Sequence, residues 1–367
     1  MYQVPESHLI GRRQILQASA VGIALVAAGP LAGCSDPRDY DRISFLNWQD
    51  YIAPDLLDEF TAKSGISVTY ETYVSNDELE RRLAAAQRPR PGGRTGSSFD
   101  LIVPSDNLVT ALRDSEQIQK LDLDQIPNID NLEPAFRETA FDPGNEYSVP
   151  WATGTTGLGY DTTKFSEPPT YEVFLDGRYK GQMTILDEQH DALGMALLAL
   201  GFDPNTTDPT EVDEAADLLI EMQAQSRLDS GTYLEGLVSG EIVVAQGYSS
   251  DVLQAREQNP DIAYVIPAEG GLRWVDSMVI PDAAPRPDDA DKFINFYLQP
   301  EVAAANSEYV QVDTGNEAAR DLLPQDILDD PVIFPPESVL ESLYFTANLG
   351  DDEAIYDEAW ARVQEAD

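Results

Sequence analysis

Hydrophobic and polar positions alternate in blocks along the chain, and each block predicts an element. Ile43-Ser44-Phe45-Leu46-Asn47-Trp48 reads as a first strand. Behind it Leu56, Leu57 and Phe60 fall at helical spacing after Pro54, a proline suited to a first helical turn. Gly65 ends that helix, 66–73 reads as a second strand, and Ser75-Asn76-Asp77-Glu78 forms a capping box for a helix running to about Gln87. Leu101-Ile102-Val103 is a third strand. Strand, helix, strand, helix, strand predicts a parallel sheet with helices on both faces. Ligands of such sheets bind beyond the carboxyl ends of the strands. Asn47-Trp48-Gln49-Asp50-Tyr51 and Pro104-Ser105-Asp106-Asn107 occupy such ends.

A second unit begins near Tyr147-Ser148-Val149-Pro150-Trp151. The glycine-rich 153–159 segment has the spacing of neither a dinucleotide loop nor a P-loop, and reads as a strand lying close to another backbone. Met183-Thr184-Ile185 leads to an apolar helix over 192–200, where Glu188 and Asp191 suit the N-terminal end of the helix dipole. Asp208-Pro209-Thr210-Glu211 is a capped helix start, and 242–245 predicts a further strand before Gly247-Tyr248. Asn205-Thr206-Thr207 has the form of a glycosylation sequon. The 88–98 stretch, rich in Pro, Gly and Ser, predicts a surface loop with three arginines.

The chemistry concentrates after a Gly270-Gly271 corner. Side chains two apart on a strand share a face, so Trp274 and Asp276 stand side by side. A carboxylate takes an ammonium, and an indole takes methylenes and part of the charge. The same residues also suit a strand whose Trp is core and whose Asp caps a turn.

Composition narrows the partners. The chain has 367 residues, enough for two lobes, with 66 acidic against 23 basic residues and a formal charge of −43. Such a field disfavours nucleic acid and anionic membrane surfaces. The acid is spread through a chain that is 42% hydrophobic, which points to a folded protein adapted to high salt. At molar salt the Debye length is about 3 Å, so selectivity for a cation must come from close, partly desolvated contacts. One cysteine, Cys34, excludes an internal disulfide, and only His8 and His190 exist to serve a catalytic relay. No metal site or cofactor is expected.

Residues 1–33 have the layout of an export signal. Gly11-Arg12-Arg13-Gln14 is a twin-arginine pattern before a small, apolar run, and Leu31-Ala32-Gly33-Cys34 matches a lipoprotein box that would make Cys34 the lipidated first residue. Residues 34–41 then form a tether.

Several phrases, in order, resemble the spermidine/putrescine-binding proteins of ABC importers, within the extracellular solute-binding proteins. They are Asn47-Trp48 with Asp50-Tyr51, Thr72-Tyr73 with Ser75-Asn76, Phe99-Asp100-Leu101-Ile102-Val103-Pro104-Ser105, Ile118-Gln119-Lys120 and Phe141-Asp142-Pro143. Tyr147-Ser148-Val149-Pro150, Glu269-Gly270-Gly271, Trp274-Val275-Asp276-Ser277, Ile294-Asn295-Phe296 and Asn316-Glu317-Ala318-Ala319-Arg320 follow. The resemblance spans roughly 42–360 and implies an α/β, two-lobed, periplasmic-binding-protein-like type II fold with a ligand cleft between lobes. Lobe 1 would hold 42–151 plus 277–318, and lobe 2 would hold 152–276 plus 319–367. The resemblance implies Trp48, Trp274, Tyr51 and Tyr248 as aromatic walls. It implies Asp276, Glu188, Asp191 and Asp50 as acids, and Ser105 as a further ligand-binding position. Asn107, Val312 and Phe345 depart from the family pattern. The implied role is a monomeric, non-enzymatic lipoprotein outside the cytoplasmic membrane, touching it only through its anchor, which hands a polyamine to permease subunits. Another cationic or polar solute on the same fold, and a secreted hydrolase using two carboxylates, are the alternatives.

Overall fold

The computed structural model describes residues 41–86, 99–139 and 141–366. The expected signal with Arg12 and Arg13, Cys34, the tether up to residue 40 and the 88–98 loop lie outside the described residues.

The first unit follows the predicted order. β1 (Arg42–Trp48) buries Ile43, Phe45 and Leu46. α1 (Pro54–Ser64) starts at its proline and stops at Gly65, whose φ of +76° closes the helix through an N–H bond to the Thr61 carbonyl. β2 (Ser67–Tyr73) runs parallel to β1. At the start of α2 (Asn76–Ala86), the Ser75 hydroxyl accepts the Glu78 N–H at 3.2 Å. The Glu78 carboxylate accepts the Val74 N–H at 3.1 Å, one residue earlier than a capping box requires. β3 (Leu101–Ile102) is parallel to β1 and leads into α3 (Asp106–Asp114).

The chain continues with the 14-residue β4 (Ser148–Asp161), followed by β5 (Met183–Ile185), β6 (Arg227–Leu228), β7 (Val244–Tyr248), β8 (Ile262–Val265), β9 (Gly271–Val279) and β10 (Leu343–Phe345). The sheet order is β2-β1-β3-β9-β4-β7-β5-β6, with β8 on β4 and β10 on β9. Two parallel sets, β1–β3 and β5–β7, are joined by the antiparallel pair β4 and β9, so the sheet is mixed rather than parallel throughout. The strand expected at 242–245 lies at Val244–Tyr248, because its pairing with β4 begins only where Val244 meets Tyr160. The expected close approach of the glycine-rich strand is real at Gly157, where an added Cβ would sit 2.6 Å from the Val265 carbonyl oxygen.

β4 and β9 each serve two hydrophobic cores. The first core takes Trp151 from β4 and Met278 from β9, packed with Phe45, Phe60, Phe293 and Tyr297. The second takes Leu158 and Leu272, packed with Ile185, Leu193, Leu219 and Tyr356. A pair of strands spanning two cores is the mechanical link on which a site between them can be hung. Among the described residues no helix is long and apolar enough to cross a membrane.

Trp151 anchors the first core. Its ring is fully buried and stacks on Tyr297 at 3.9 Å, while the Tyr297 hydroxyl donates to the Trp151 carbonyl at 2.7 Å. Trp151→Ala is expected to lower stability by about 3–5 kcal/mol in urea unfolding, since the large cavity would lie beneath the crossing strands.

Candidate functional site

The corner before β9 needs glycine: Gly270 has φ +112°, and a Cβ there would lie 2.8 Å from the Ser342 carbonyl oxygen. Beyond it Trp274 and Asp276 pair across to Gly154 and Ala152 of β4. A Cβ on Gly154 would fall 2.3 Å from the Trp274 ring, so the glycine is what lets the indole lie over the neighbouring strand. The ring then meets Tyr248 edge-on at 6.3 Å and 89°.

Asp276 is 7% exposed, and Tyr51, 225 residues earlier, donates its hydroxyl to the carboxylate at 2.8 Å. Ser105, at the N-cap of α3, makes no side-chain cap; it forms a backbone bridge with Asp276 and hydrogen-bonds its carboxylate. The Ser277 N–H also binds the Pro104 carbonyl at 2.9 Å, pinning β9 to the start of α3. Burial pushes the Asp276 carboxyl up to about 7, against the opposing pull of the Tyr51 and Ser105 hydroxyls.

A second acidic centre stands at the start of the helix Gln189–Leu200. Asp191, in the first turn of the helix Gln189–Leu200, accepts hydroxyls from Thr156 of β4 at 2.8 Å and Tyr248 of β7 at 3.2 Å. Burial raises its carboxyl above the ordinary range, and the two hydroxyls lower it in part. Glu188 is the N-cap residue of the same helix and adds to the charge that keeps the Tyr248 phenol protonated, after burial and Asp191. Tyr248 and Trp274 therefore lie between the two acidic centres.

The remaining expected residues occupy the margin. Trp48 ends β1 and packs on Tyr73 at 4.4 Å. Asp50 is exposed, with a left-handed φ of +52°, and its charge reaches Asp251. The departures from the family pattern have different fates. Val312 is buried in the first core, and the Asn107 amide oxygen accepts its neighbour's N–H. The Phe345 ring stays half exposed beneath the Arg273 guanidinium at 5.2 Å.

Two acids escaped sequence reasoning. Asp106 is 2% exposed in the first turn of α3, and burial raises its carboxyl to about 8, with Asp276 and Asp191 acting in the same sense. Asp251, in the first turn of the helix Ser249–Gln258, accepts the Tyr233 hydroxyl at 2.6 Å. Acid at a helix start reads in a sequence as dipole decoration, and nothing local reveals its burial. Among the described residues neither a lysine nor an arginine pairs with Asp106, Asp191, Asp251 or Asp276, and no group of three or more acids, histidines or cysteines is placed to hold a metal ion. The arrangement can accept organic cations: desolvated carboxylates without counter-charge, separated by aromatic surface.

An acid raised in the folded state binds a proton that the unfolded chain releases. The stability held by Asp106 and Asp276 is therefore full below the ordinary value of 3.8 and is lost as pH rises through about 7 and 8. Asp276→Asn, which needs no ionisation, is expected to raise the melting temperature of the ligand-free protein relative to wild type at pH 9, by roughly 2–4 °C for each kcal/mol relieved. The gain should shrink markedly at pH 5 and vanish only below the ordinary value of 3.8; thermal melts of both proteins at pH 9, 5 and 3.5 check it.

Comparison with known proteins agrees with this architecture. The family model of the bacterial extracellular solute-binding proteins matches residues 55–335. The spermidine/putrescine-binding periplasmic protein of Salmonella typhimurium is 32% identical over 347 residues, covering 93% of this chain and 97% of that one. The putrescine-binding periplasmic protein SpuD of Pseudomonas aeruginosa is 32% identical over 365 residues, with the same coverage. Among solved structures, the spermidine/putrescine ABC transporter substrate-binding protein PotD of Streptococcus pneumoniae superposes with a TM-score of 0.76 at 29% identity, covering 89% of this chain and 99% of that one. The TpPotD lipoprotein of Treponema pallidum gives 0.77 at 27%, covering 88% and 99%. The fold is the two-lobed type II arrangement, with β4 and β9 passing between the lobes. The chain belongs to the bacterial extracellular solute-binding proteins.

Proposed function

We propose that this chain captures a polyamine of the spermidine/putrescine class in the cleft between its lobes and delivers it to the permease subunits of an ABC importer. The observation that carries the reading is the row Asp276, Trp274, Tyr248, Asp191. It sets one buried and one partly buried carboxylate, neither in an ion pair with lysine or arginine among the described residues, at the ends of a stretch of aromatic surface. A polyamine is a string of ammoniums on methylenes and fits that alternation. A cation over an aromatic face gains about 0.5–2 kcal/mol, and a desolvated carboxylate contact is screened little even at molar salt. The names of the relatives, which bind spermidine or putrescine, point the same way.

In this reading Trp48, Tyr51 and Ser105 with Asp276 form one end of the slot, Glu188 and Asp191 the other, and Asp50 lies at the rim. Lobe 1 comprises 42–151 plus 277–318, and lobe 2 comprises 152–276 plus 319–367; the division of the two large cores favours these boundaries. The protein is a monomer that binds without turnover, exported through Arg12 and Arg13 and anchored by lipid on Cys34 at the outer face of the cytoplasmic membrane, in an organism living at high salt. A second reading keeps the fold and changes the cargo to another cationic or polar solute. It is favoured by the loss of two rings, at Asn107 and Val312, and by Phe345, whose ring stacks on Arg273.

Calorimetric titration of the lipid-free chain from residue 35 with putrescine, spermidine and spermine in molar potassium chloride separates the readings. Saturable binding is expected. Trp274→Ala should weaken it about tenfold or more, and Asp276→Asn by about 2–5 kcal/mol. Absence of binding by all three polyamines to the folded protein would sink the polyamine reading and leave the second.

A further inference from the structure

The Asn205 side chain, in sequence only the head of a sequon, closes the free edge of β10. Its amide nitrogen donates to the Phe345 carbonyl at 2.9 Å, and its amide oxygen accepts the Ala347 N–H at 2.9 Å. β9 occupies the other edge of β10, where the Gly271 N–H meets the Ser342 carbonyl. One carboxamide thus takes the two backbone groups that a further strand would engage. Asn205 is itself rooted. The hydroxyl of Tyr356, a ring fully buried in the second core, lies 3.0 Å from the carbonyls on both sides of it, Pro204 and Thr206.

The segment so fastened, residues 345–348, meets groups of the first core's half at two points. The Phe345 ring lies 5.2 Å from the Arg273 guanidinium of β9, and the Phe136 ring 5.5 Å from the same group. Phe136, on the short helix Pro134–Arg137, packs on Gly315, where a Cβ would fall 2.8 Å from the ring. Among the described residues Arg273 makes no ion pair; Glu133 and Asp313, whose charges act on it, pair with Arg320 at 2.5 and 2.9 Å. Farther along, the Asn348 oxygen accepts the Gly350 N–H at 2.9 Å, and its nitrogen donates to the Asn107 carbonyl at 3.4 Å, a long bond. Arg273 precedes Trp274, and Asn107 lies two residues from Ser105, so both contacts adjoin the slot.

We propose that Asn205 is a positioning residue for solute capture: it fastens 345–348 as a strap that holds the slot closed, and its amide nitrogen serves that strap rather than a glycan. The role in capture rests on the binding-protein reading. Swinging the two halves apart about β4 and β9 separates Phe136 from the Arg273–Phe345 pair and Asn107 from Asn348. A guanidinium between two rings works at contact distance, so molar salt leaves it in place. Losing the strap leaves a larger share of the empty protein open, and that share lowers the apparent affinity in proportion.

The lipid-free chain from residue 35 has no cysteine, so spin labels can be placed cleanly on Asp58→Cys of α1 and Glu214→Cys of the helix Pro209–Gln223, both exposed. Pulsed electron resonance then reads the separation of the two halves in molar potassium chloride. Without ligand, Asn205→Asp, which keeps the shape and loses the N–H donor, is expected to shift the distances to longer and broader values. Thr207→Ala, which abolishes the sequon and keeps the amide, should match wild type. Phe345→Leu, which takes the ring from Arg273, should reproduce the shift, and it carries the test if circular dichroism shows Asn205→Asp unfolded. With spermidine, folded Asn205→Asp should bind about three- to tenfold more weakly, chiefly through faster dissociation. Wild-type distances in folded Asn205→Asp or Phe345→Leu overturn the proposal, as does an equal shift in Thr207→Ala. Peptide mass spectrometry of the full chain, made in a salt-adapted host that glycosylates its exported proteins, is expected to find Asn205 bare; a glycan there also overturns it. The distances are read without ligand, so failure of every polyamine to bind sinks the cargo reading and leaves the strap to be decided by its own measurement.

Discussion

Taking a carboxylate out of water without giving it a cation is the costly step around which the binding region is arranged. Asp276 meets that cost with hydroxyls from Tyr51 and Ser105, Asp191 with hydroxyls from Thr156 and Tyr248, and Asp251 with Tyr233. Hydroxyls are suited to the task. They hold an oxygen in place without neutralising it, so the attraction for an incoming cation is kept in reserve. Arginine or lysine in the same positions would stabilise the empty protein more and leave nothing for the ligand to satisfy.

These donors come from distant parts of the chain, and β4 and β9 are what gather them. β9 carries Trp274 and Asp276, and β4 carries Gly154, which makes room for the indole, and Thr156, which holds Asp191. Each strand is rooted in both large cores. Rigid burial at both ends allows the middle to present polar and aromatic groups that would be unstable in a core of their own. Tyr248 on Trp274 then joins the second unit to the crossing strand by edge-to-face packing, worth about 0.5–1.5 kcal/mol beyond burial.

The overall acidity and the site acidity act at different ranges. Most of the 66 acidic residues face solvent, where they interact through a medium that salt screens within a few ångströms. Asp106 and Asp276 differ in being buried, and Asp191 and Asp251 in being partly so. Exposed ion pairs such as Lys120–Glu146 and Arg362 with Asp213 and Asp217 consume part of the scarce positive charge at the surface, while no basic side chain pairs with the cleft carboxylates among the described residues. A protein with few cations has kept them away from the place where they would compete with the ligand.

Local pattern determined the elements whose signals are local. Pro54 and Gly65 bounded a helix, Asp208 capped another through the Thr210 N–H, and Gly270 marked the corner before β9. Spacing of two put Trp274 beside Asp276, and colinear phrases pointed to the family and its fold. Other features were decided only by tertiary structure. The antiparallel crossing of β4 and β9, the shift of a strand to Val244–Tyr248, and the burial of Val312 depend on partners far along the chain. Asp106 is the clearest case. In sequence it is one of four residues at the carboxyl end of the third strand, with nothing local to mark its burial. Packing of α3 against β9 removes the water and raises its carboxyl to about 8, chiefly through burial. A helix signal is written in four neighbouring residues, whereas desolvation is set by everything that packs around them.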